Sequence, residues 1–377
     1  MKKPIVGVLV LTLIVLVVWL FVEERKSSQF SESIKIGYVV PLTGDAATYG
    51  EPMKNAASLA VEEINNSGGV NGRKLEVIYE DSKCSGKDAL TATQKLISID
   101  KVQVLDGFTC AEDLLNSASL IEKNKIITLS PGALGPGVSA AGDYIFQTNP
   151  SATVATKKLT SLIFKNHTNV IVVSENTGFA IDIRDFFSKE FESLGGKVTL
   201  SETYNPNTKD FRAILQKIKK ENPSAIFINP QTEITGGLFI KQARELGITA
   251  DLFSLDTLSG PTTREISGDA SEGLTLVTVP DLDTQNQKAN EFLKKYKEKY
   301  GDPVFPLYLA SAYDSINIIA QAIQIAGDDS QKIKDYLYKM SDYHGAVGTY
   351  HFDKNGDIEG IDFVVKKMVS GKLINIK

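Results

Sequence analysis

The sequence predicts an α/β protein built as two doubly wound lobes, and three observations carry that prediction. Short runs rich in Val and Ile alternate with helical patterns through most of the chain, which is the sequence form of parallel strands joined by crossover helices. The alternation comes in two successive series. The length of 377 residues exceeds the size at which one hydrophobic core usually keeps growing.

In the first series strands are expected over Ile34–Val40, Leu75–Glu80, Val102–Gly107 and Ile126–Leu129, with helices beginning near Glu51, Asp88 and Ala111. Pro52 stands where a first-turn proline belongs, and Gly68-Gly69 stops the first helix. The second series has strands at Val170–Ser174, Val198–Tyr204, Ala225–Asn229 and Leu252–Leu255, and helices near Gly178–Leu194, Phe211–Glu221 and Leu238–Leu246. Gly195-Gly196 and Gly247 supply the matching helix stops. Three later helices, Gln287–Tyr300, Leu307–Ala326 and Gln331–Met340, come with too little strand for a third lobe and are expected to return to the first. The expected division is 34–150 plus 281–345 for one lobe and 151–280 plus 346–377 for the other. Ligands of open α/β sheets bind beyond the carboxyl ends of the strands, so two such edges facing one another make a cleft that can close about a hinge.

Before these lobes, residues 1–33 read as a membrane segment and tether. Ile5 to Val22 is 18 residues without a charge, preceded by Lys2 and Lys3, and spans roughly 27 Å as a helix, close to a bilayer core. No small-x-small cleavage site follows, so the segment reads as an uncleaved anchor, the alternative being a cleaved signal, with a cytoplasmic N-terminus and an extracytoplasmic body. The lipoprotein route is closed, because Cys84 and Cys110 are the only cysteines and lie far downstream. That compartment permits a disulfide between them, the alternative being two free buried thiols.

Several chemistries find no support. A net charge of −5 without a long basic run argues against a nucleic-acid partner. Gly135-Pro136-Gly137-Val138-Ser139-Ala140 faintly suggests a dinucleotide turn, but Pro136 disturbs it and Tyr144–Thr148 after it looks like a strand. There is no phosphate loop, so a pump's ATPase must be another polypeptide. Asp353, Asn355, Asp357 and Glu359 alternate as calcium ligands do, yet Gly356 is misplaced for a calcium loop and Asn355-Gly356 reads as a hairpin turn. His167, His344 and His351 are scattered and no GxSxG elbow is present. No catalytic residue, metal site or cofactor is expected, and the chain does not read as an enzyme.

The opening passage, Ile34-Lys35-Ile36-Gly37 through Pro41-Leu42-Thr43-Gly44 to Tyr49-Gly50, then Ile64-Asn65-Asn66-Ser67-Gly68-Gly69-Val70-Asn71-Gly72-Arg73-Lys74-Leu75, resembles the start of the type I periplasmic binding proteins of the branched-chain amino-acid branch. The resemblance extends to about Phe363. It includes Leu129-Ser130-Pro131-Gly132, the run Phe239 to Gly247 and Ala270-Ser271-Glu272-Gly273-Leu274. It implies two Rossmann-like lobes joined by three crossover strands, with Cys84 and Cys110 as a first-lobe disulfide. It also implies ligand-binding positions at Tyr49, Ala111, Gly132, Leu134, Phe179 and Asp256, with Ser130 on the strand end and Gln231 or Thr232 at another cleft position. Among these, Asp256 corresponds to the carboxylate that often holds an ammonium group.

The departures from the family pattern bear on the ligand. Ala111 lacks the hydroxyl that often holds a ligand carboxylate, Leu134 replaces a Thr, and Phe179 lacks a phenol oxygen. A buried charge without partners is costly, so the expected ligand is an amide, an amine-bearing solute or a less polar metabolite, with Glu112 as a second acceptor. The structural alternatives are a turn-forming Asp256, a core Phe179 and a solvated first-turn Glu112. The implied function is an extracytoplasmic, membrane-tethered solute-binding protein of an ABC importer, partnered by permease and ATPase subunits. The rival is a ligand-sensing receptor subunit of the same fold.

Overall fold

A computed structural model describes residues 33–44, 46–283 and 285–376; the expected anchor at 5–22 lies outside the described residues. No helix among the described residues is long and apolar enough to cross a membrane.

The first sheet is formed by β1 (Ile34–Val40), β2 (Leu75–Asp81), β3 (Val104–Gly107), β4 (Ile127–Ser130) and β5 (Ile145–Gln147), parallel in the order β2-β1-β3-β4-β5. Its crossovers are the helices α1 (Ala47–Asn66), α2 (Gly86–Lys95) and α3 (Ala111–Asn124). After α4 (Ala152–Phe164), the second sheet repeats the winding with β6 (Asn169–Glu175), α5 (Gly178–Ser193), β7 (Lys197–Tyr204), α6 (Arg212–Glu221), β8 (Ala225–Asn229), α7 (Glu233–Glu245), β9 (Asp251–Leu255), α8 (Pro261–Ser267) and β10 (Thr275–Thr278). Its parallel part runs β7-β6-β8-β9-β10, the same order as the first sheet, and β14 (Val364–Val369) and β15 (Lys372–Ile376) extend it antiparallel beyond β10. Every residue of β8 is buried, as a strand covered by helices on both faces must be.

The helices α9 (Gln287–Tyr300) and α10 (Pro306–Ala326) pack on α1, and α11 (Ser330–Lys339) reaches β4, so the later helices do return to the first lobe. The chain therefore crosses between lobes near 148–151, 279–283 and 360–363. One boundary differs from expectation. A small antiparallel sheet of β11 (Tyr343–His344), β12 (Thr349–Phe352) and β13 (Ile358–Glu359) follows α11. Its Phe352 ring packs edge-on against Phe146. Asp314 of α10 accepts hydrogen bonds from the backbone N–H groups of Ala346 (2.8 Å) and Val347 (2.9 Å) and from the Tyr350 hydroxyl (3.3 Å). We therefore assign 346–360 to the first lobe; only from Val364 does the chain enter the second sheet. The turn at Asn355-Gly356 closes the hairpin between β12 and β13, with Gly356 at φ 77°.

Two helix starts also differ. α1 begins before Pro52, which lies inside it. Gly50 allows this, because any side chain there would overlap the Pro41 carbonyl. α7 begins at Glu233 rather than Leu238, because Thr232 caps it by accepting from the Thr235 N–H. Gly236-Gly237 let it approach Leu258 and Ile266 closely. Cys84 and Cys110 form the expected disulfide, with Cα atoms 5.5 Å apart; it ties the loop after β2 to the N-terminus of α3.

Three aspartates are buried in the first lobe, and burial raises Asp106 and Asp113 to about 7 and Asp314 to about 6. Asp106 accepts from the Ser315 hydroxyl at 2.7 Å, and the Ser82 hydroxyl opposes the upward shift of Asp113. A carboxylate whose folded pKa lies above its unfolded value takes up its proton on folding, so stability falls as pH rises through that window and levels off above it. The melting temperature is expected to rise by several degrees as pH is lowered from 8 to 5, and Asp106→Asn should flatten that slope in calorimetry. Replacing both Cys84 and Cys110 by Ser should lower the unfolding free energy by ~3–4 kcal/mol in denaturant titrations, the loop-closure value for a sequence separation of 26.

Candidate functional site

Both sheets share a winding order that reverses between their first and third strands, leaving a crevice at the carboxyl ends. In the first lobe the crevice is flanked by the segments after β1 and β3, in the second by those after β6 and β8. A cavity of about 110 Å³ lies where the two crevices meet. That is somewhat smaller than the roughly 150 Å³ hole that accommodates benzene in an engineered core, so it suits a small solute.

Seven of the nine expected ligand positions line this cavity: Tyr49, Ala111, Gly132, Leu134, Phe179, Thr232 and Asp256. Each sits just past a strand. Tyr49 is in the first turn of α1, where its ring stacks on Phe305 at 4.9 Å between centroids. Ala111 opens α3, Gly132 and Leu134 follow β4, Phe179 is the second residue of α5, Thr232 caps α7 and Asp256 follows β9. Both cysteines of the disulfide contribute to the wall.

Ser130 and Glu112 do not line the cavity. Ser130 is fully buried, donating to the Phe108 carbonyl and accepting from the Ala133 N–H, both at 3.2 Å. It shapes the turn that presents Gly132. Glu112 faces the cleft mouth, where its Oε1 accepts from the backbone N–H of Gly178 at 2.6 Å, and it lines an adjoining cavity of about 340 Å³.

The sequence reading missed Met53, Thr109, Phe305 and Tyr308, all of which line the cavity. Tyr308 lies in the first turn of α10, in a helix whose apolar pattern reads as core. Phe305, just before it, adopts a left-handed backbone at φ 55° that nothing in Pro303-Val304-Phe305-Pro306 announces. Gln231, one of the two alternatives at its position, lines the cavity together with Thr232, and its Oε1 accepts from the Thr177 hydroxyl at 2.9 Å.

Among the described residues, Asp256 is the only ionisable acid or base of full charge in the wall, and no Lys, Arg or His contributes to it. Burial raises the Asp256 carboxyl above its ordinary value, an effect opposed by hydrogen bonds from Thr278, Tyr308 and Ser259 and by the charge of Lys366. Burial and the nearby Glu233 and Asp256 carboxylates push the Tyr49 hydroxyl up, so it stays a neutral donor. Opposite lies the N-terminus of α3, whose N-cap Cys110 supplies no side-chain acceptor. The arrangement offers a fixed negative charge for a cation, an apolar wall for a hydrocarbon body, and the positive end of a helix for an electron-rich group.

Residues 33–360 match the family model described as periplasmic binding protein. A curated relative from Pseudomonas aeruginosa, the leucine-, isoleucine-, valine-, threonine- and alanine-binding protein, is 29% identical over 347 residues, covering 90% of each chain. The crystal structure of a leucine-binding protein from Thermotoga maritima superposes with a TM-score of 0.82 at 27% identity, covering 91% of this chain and 98% of that one. A branched-chain amino-acid transporter substrate-binding protein from Streptococcus pneumoniae, solved with isoleucine, gives 0.79 at 26% identity, covering 91% and 100%.

Proposed function

Because the chain belongs to the periplasmic binding protein family, we propose that its cleft recognises a small amine-bearing solute, of the amino-acid class or a derivative, chiefly through the ammonium group. The protein acts outside the cytoplasm as the solute-binding component of an ABC importer, capturing a small polar solute between its lobes and delivering it to the permease. The uncharged run from Ile5 to Val22 would tether it to the membrane.

The observation that carries the ligand assignment is the isolation of Asp256. Among the described residues it is the one full charge in a wall that also holds the apolar Met53, Leu134, Phe179 and Phe305 and the hydroxyls of Tyr49, Thr109, Thr232 and Tyr308, and an ammonium there gives a countercharge to a carboxylate whose charged form burial disfavours. Hydroxyls from Thr278 and Tyr308 orient that carboxylate. With Ala111, Leu134 and Phe179 supplying no hydroxyl, a ligand carboxylate would meet the backbone N–H groups opening α3 and the hydroxyl of Thr109 in the same wall. Those groups accept a carboxylate, an amide oxygen or an ester oxygen alike.

Calorimetric titration with leucine, isoleucine, valine and alanine, their primary amides and the corresponding deaminated acids tests this reading. Amines and amides should bind, amidation should change affinity by less than roughly tenfold, and the deaminated acids should not bind. Asp256→Asn should weaken binding by ~2–5 kcal/mol, the usual result of removing one member of a buried charge pair. Affinity should fall on acidification through the raised Asp256 pKa, because the protonated carboxyl no longer attracts an ammonium. Binding of deaminated acids in preference to amines would overturn the assignment.

A further inference from the structure

Glu112 belongs to the first lobe, yet its hydrogen-bond partner belongs to the second. It lies in the first turn of α3, and its Oε1 accepts from the N–H of Gly178, the first residue of α5, at 2.6 Å. The α5 cap explains why this donor is available. The N-cap Thr177 accepts from the Ala180 N–H at 3.3 Å, which leaves the N–H at the start of α5 for an acceptor outside the helix. Opposed helix N-termini repel, since each carries partial positive charge, and the carboxylate of Glu112 lies between these two.

The contact is coupled to the solute cavity by adjacency. Phe179, next to Gly178, forms part of that cavity, and Thr177 on the other side donates to Gln231, another wall residue, at 2.9 Å. Nearby, a Cβ at Gly137 of the first lobe would stand 3.2 Å from Asp182 of α5. The first turns of α5 thus pack closely on the first lobe around the Glu112 bond.

We propose that Glu112 is a positioning residue that clasps the lobes shut. It acts on the solute through Gly178, fixing the α5 turn that carries Phe179 over the cavity, without being a ligand itself. The proposal rests on the solute-capture reading only for its effect on affinity. When the lobes part, the carboxylate and the N–H are both hydrated; on closure they meet and the charge neutralises two helix ends. Losing the clasp lowers the closed population and reduces apparent affinity in proportion.

The test uses the full-length chain in detergent, with spin labels at Lys123→Cys on α3 and Lys189→Cys on α5, both exposed positions; the native cysteines are paired. Interlobe distances are measured by pulsed electron resonance, with and without isoleucine, in wild type, Glu112→Ala, Glu112→Gln and Gly178→Ala. The last variant keeps the N–H but puts a Cβ 3.1 Å from Glu112 Cγ and Oε1. Glu112→Ala should move the distribution towards the open form and raise the isoleucine dissociation rate roughly three- to tenfold at an unchanged association rate. Glu112→Gln should fall between it and wild type. Gly178→Ala should shift wild type more than it shifts Glu112→Ala, as required if both act on one contact. Wild-type distances in folded Glu112→Ala, with or without isoleucine, would overturn the clasp. If isoleucine and the other amino acids bind to no variant, the solute assignment fails while the distances still decide the clasp.

Discussion

Everything at this site follows from a constraint on parallel sheets. Two parallel neighbours cannot be joined by a hairpin, so each strand is followed by a helix that crosses the sheet. When the winding starts in the middle and proceeds outward both ways, the helices on either side of the first strand leave on opposite faces and a gap opens at the carboxyl edge. Both sheets of this protein wind in that manner, β2-β1-β3-β4-β5 and β7-β6-β8-β9-β10. The loops that must turn at these edges supply Tyr49, Ala111, Gly132, Leu134, Phe179, Thr232 and Asp256, and the cavity forms where the two edges meet. The three crossings of the chain keep the edges opposed while leaving the lobes separable.

That geometry buries Asp256, and burial gives the carboxylate its role. Had Asp256 remained in water it would be an ordinary surface acid; enclosed, its charged form is disfavoured and is held by hydroxyl donors from Thr278, Tyr308 and Ser259 and by the charge of Lys366. Tyr308 comes from α10, a helix packed on the first lobe, whereas Thr278 ends β10 in the second. The carboxylate therefore takes hydrogen bonds from both lobes, and its readiness to receive a cation depends on their approach.

The sequence made legible what is local. Strand runs, glycine stops and the alternation of elements are set within windows of a few residues, and most of those elements appear with their ends shifted by a residue or two, the starts of α1 and α7 being the larger exceptions. Cavity residues that immediately follow strands were found for the same reason. Phe305 and Tyr308 were not, because their contact with the cavity depends on α10 folding back across the first lobe. α7 starts earlier than expected because Thr232 caps it, and Gly236-Gly237, unfavourable in an isolated helix, serves close approach to Leu258 and Ile266. The placement of 346–360 was missed because its anchor, Asp314, looks from sequence like one polar position on a helix and is in fact a buried acceptor for Ala346, Val347 and Tyr350.

Glu112 shows the same limit from the other side. An acid in the first turn of a helix satisfies that helix's own dipole, and local reasoning stops there. In the folded chain a second helix start arrives opposite it, because crossover helices begin at the carboxyl edge and both lobes turn that edge inward. Closing such a cleft necessarily brings positive helix ends together. A solute carrying an electron-rich group can relieve the repulsion within the cavity, but not at the mouth, where α3 and α5 meet. A carboxylate supplied by the protein itself relieves it there, so closure at the mouth does not depend on which solute is inside.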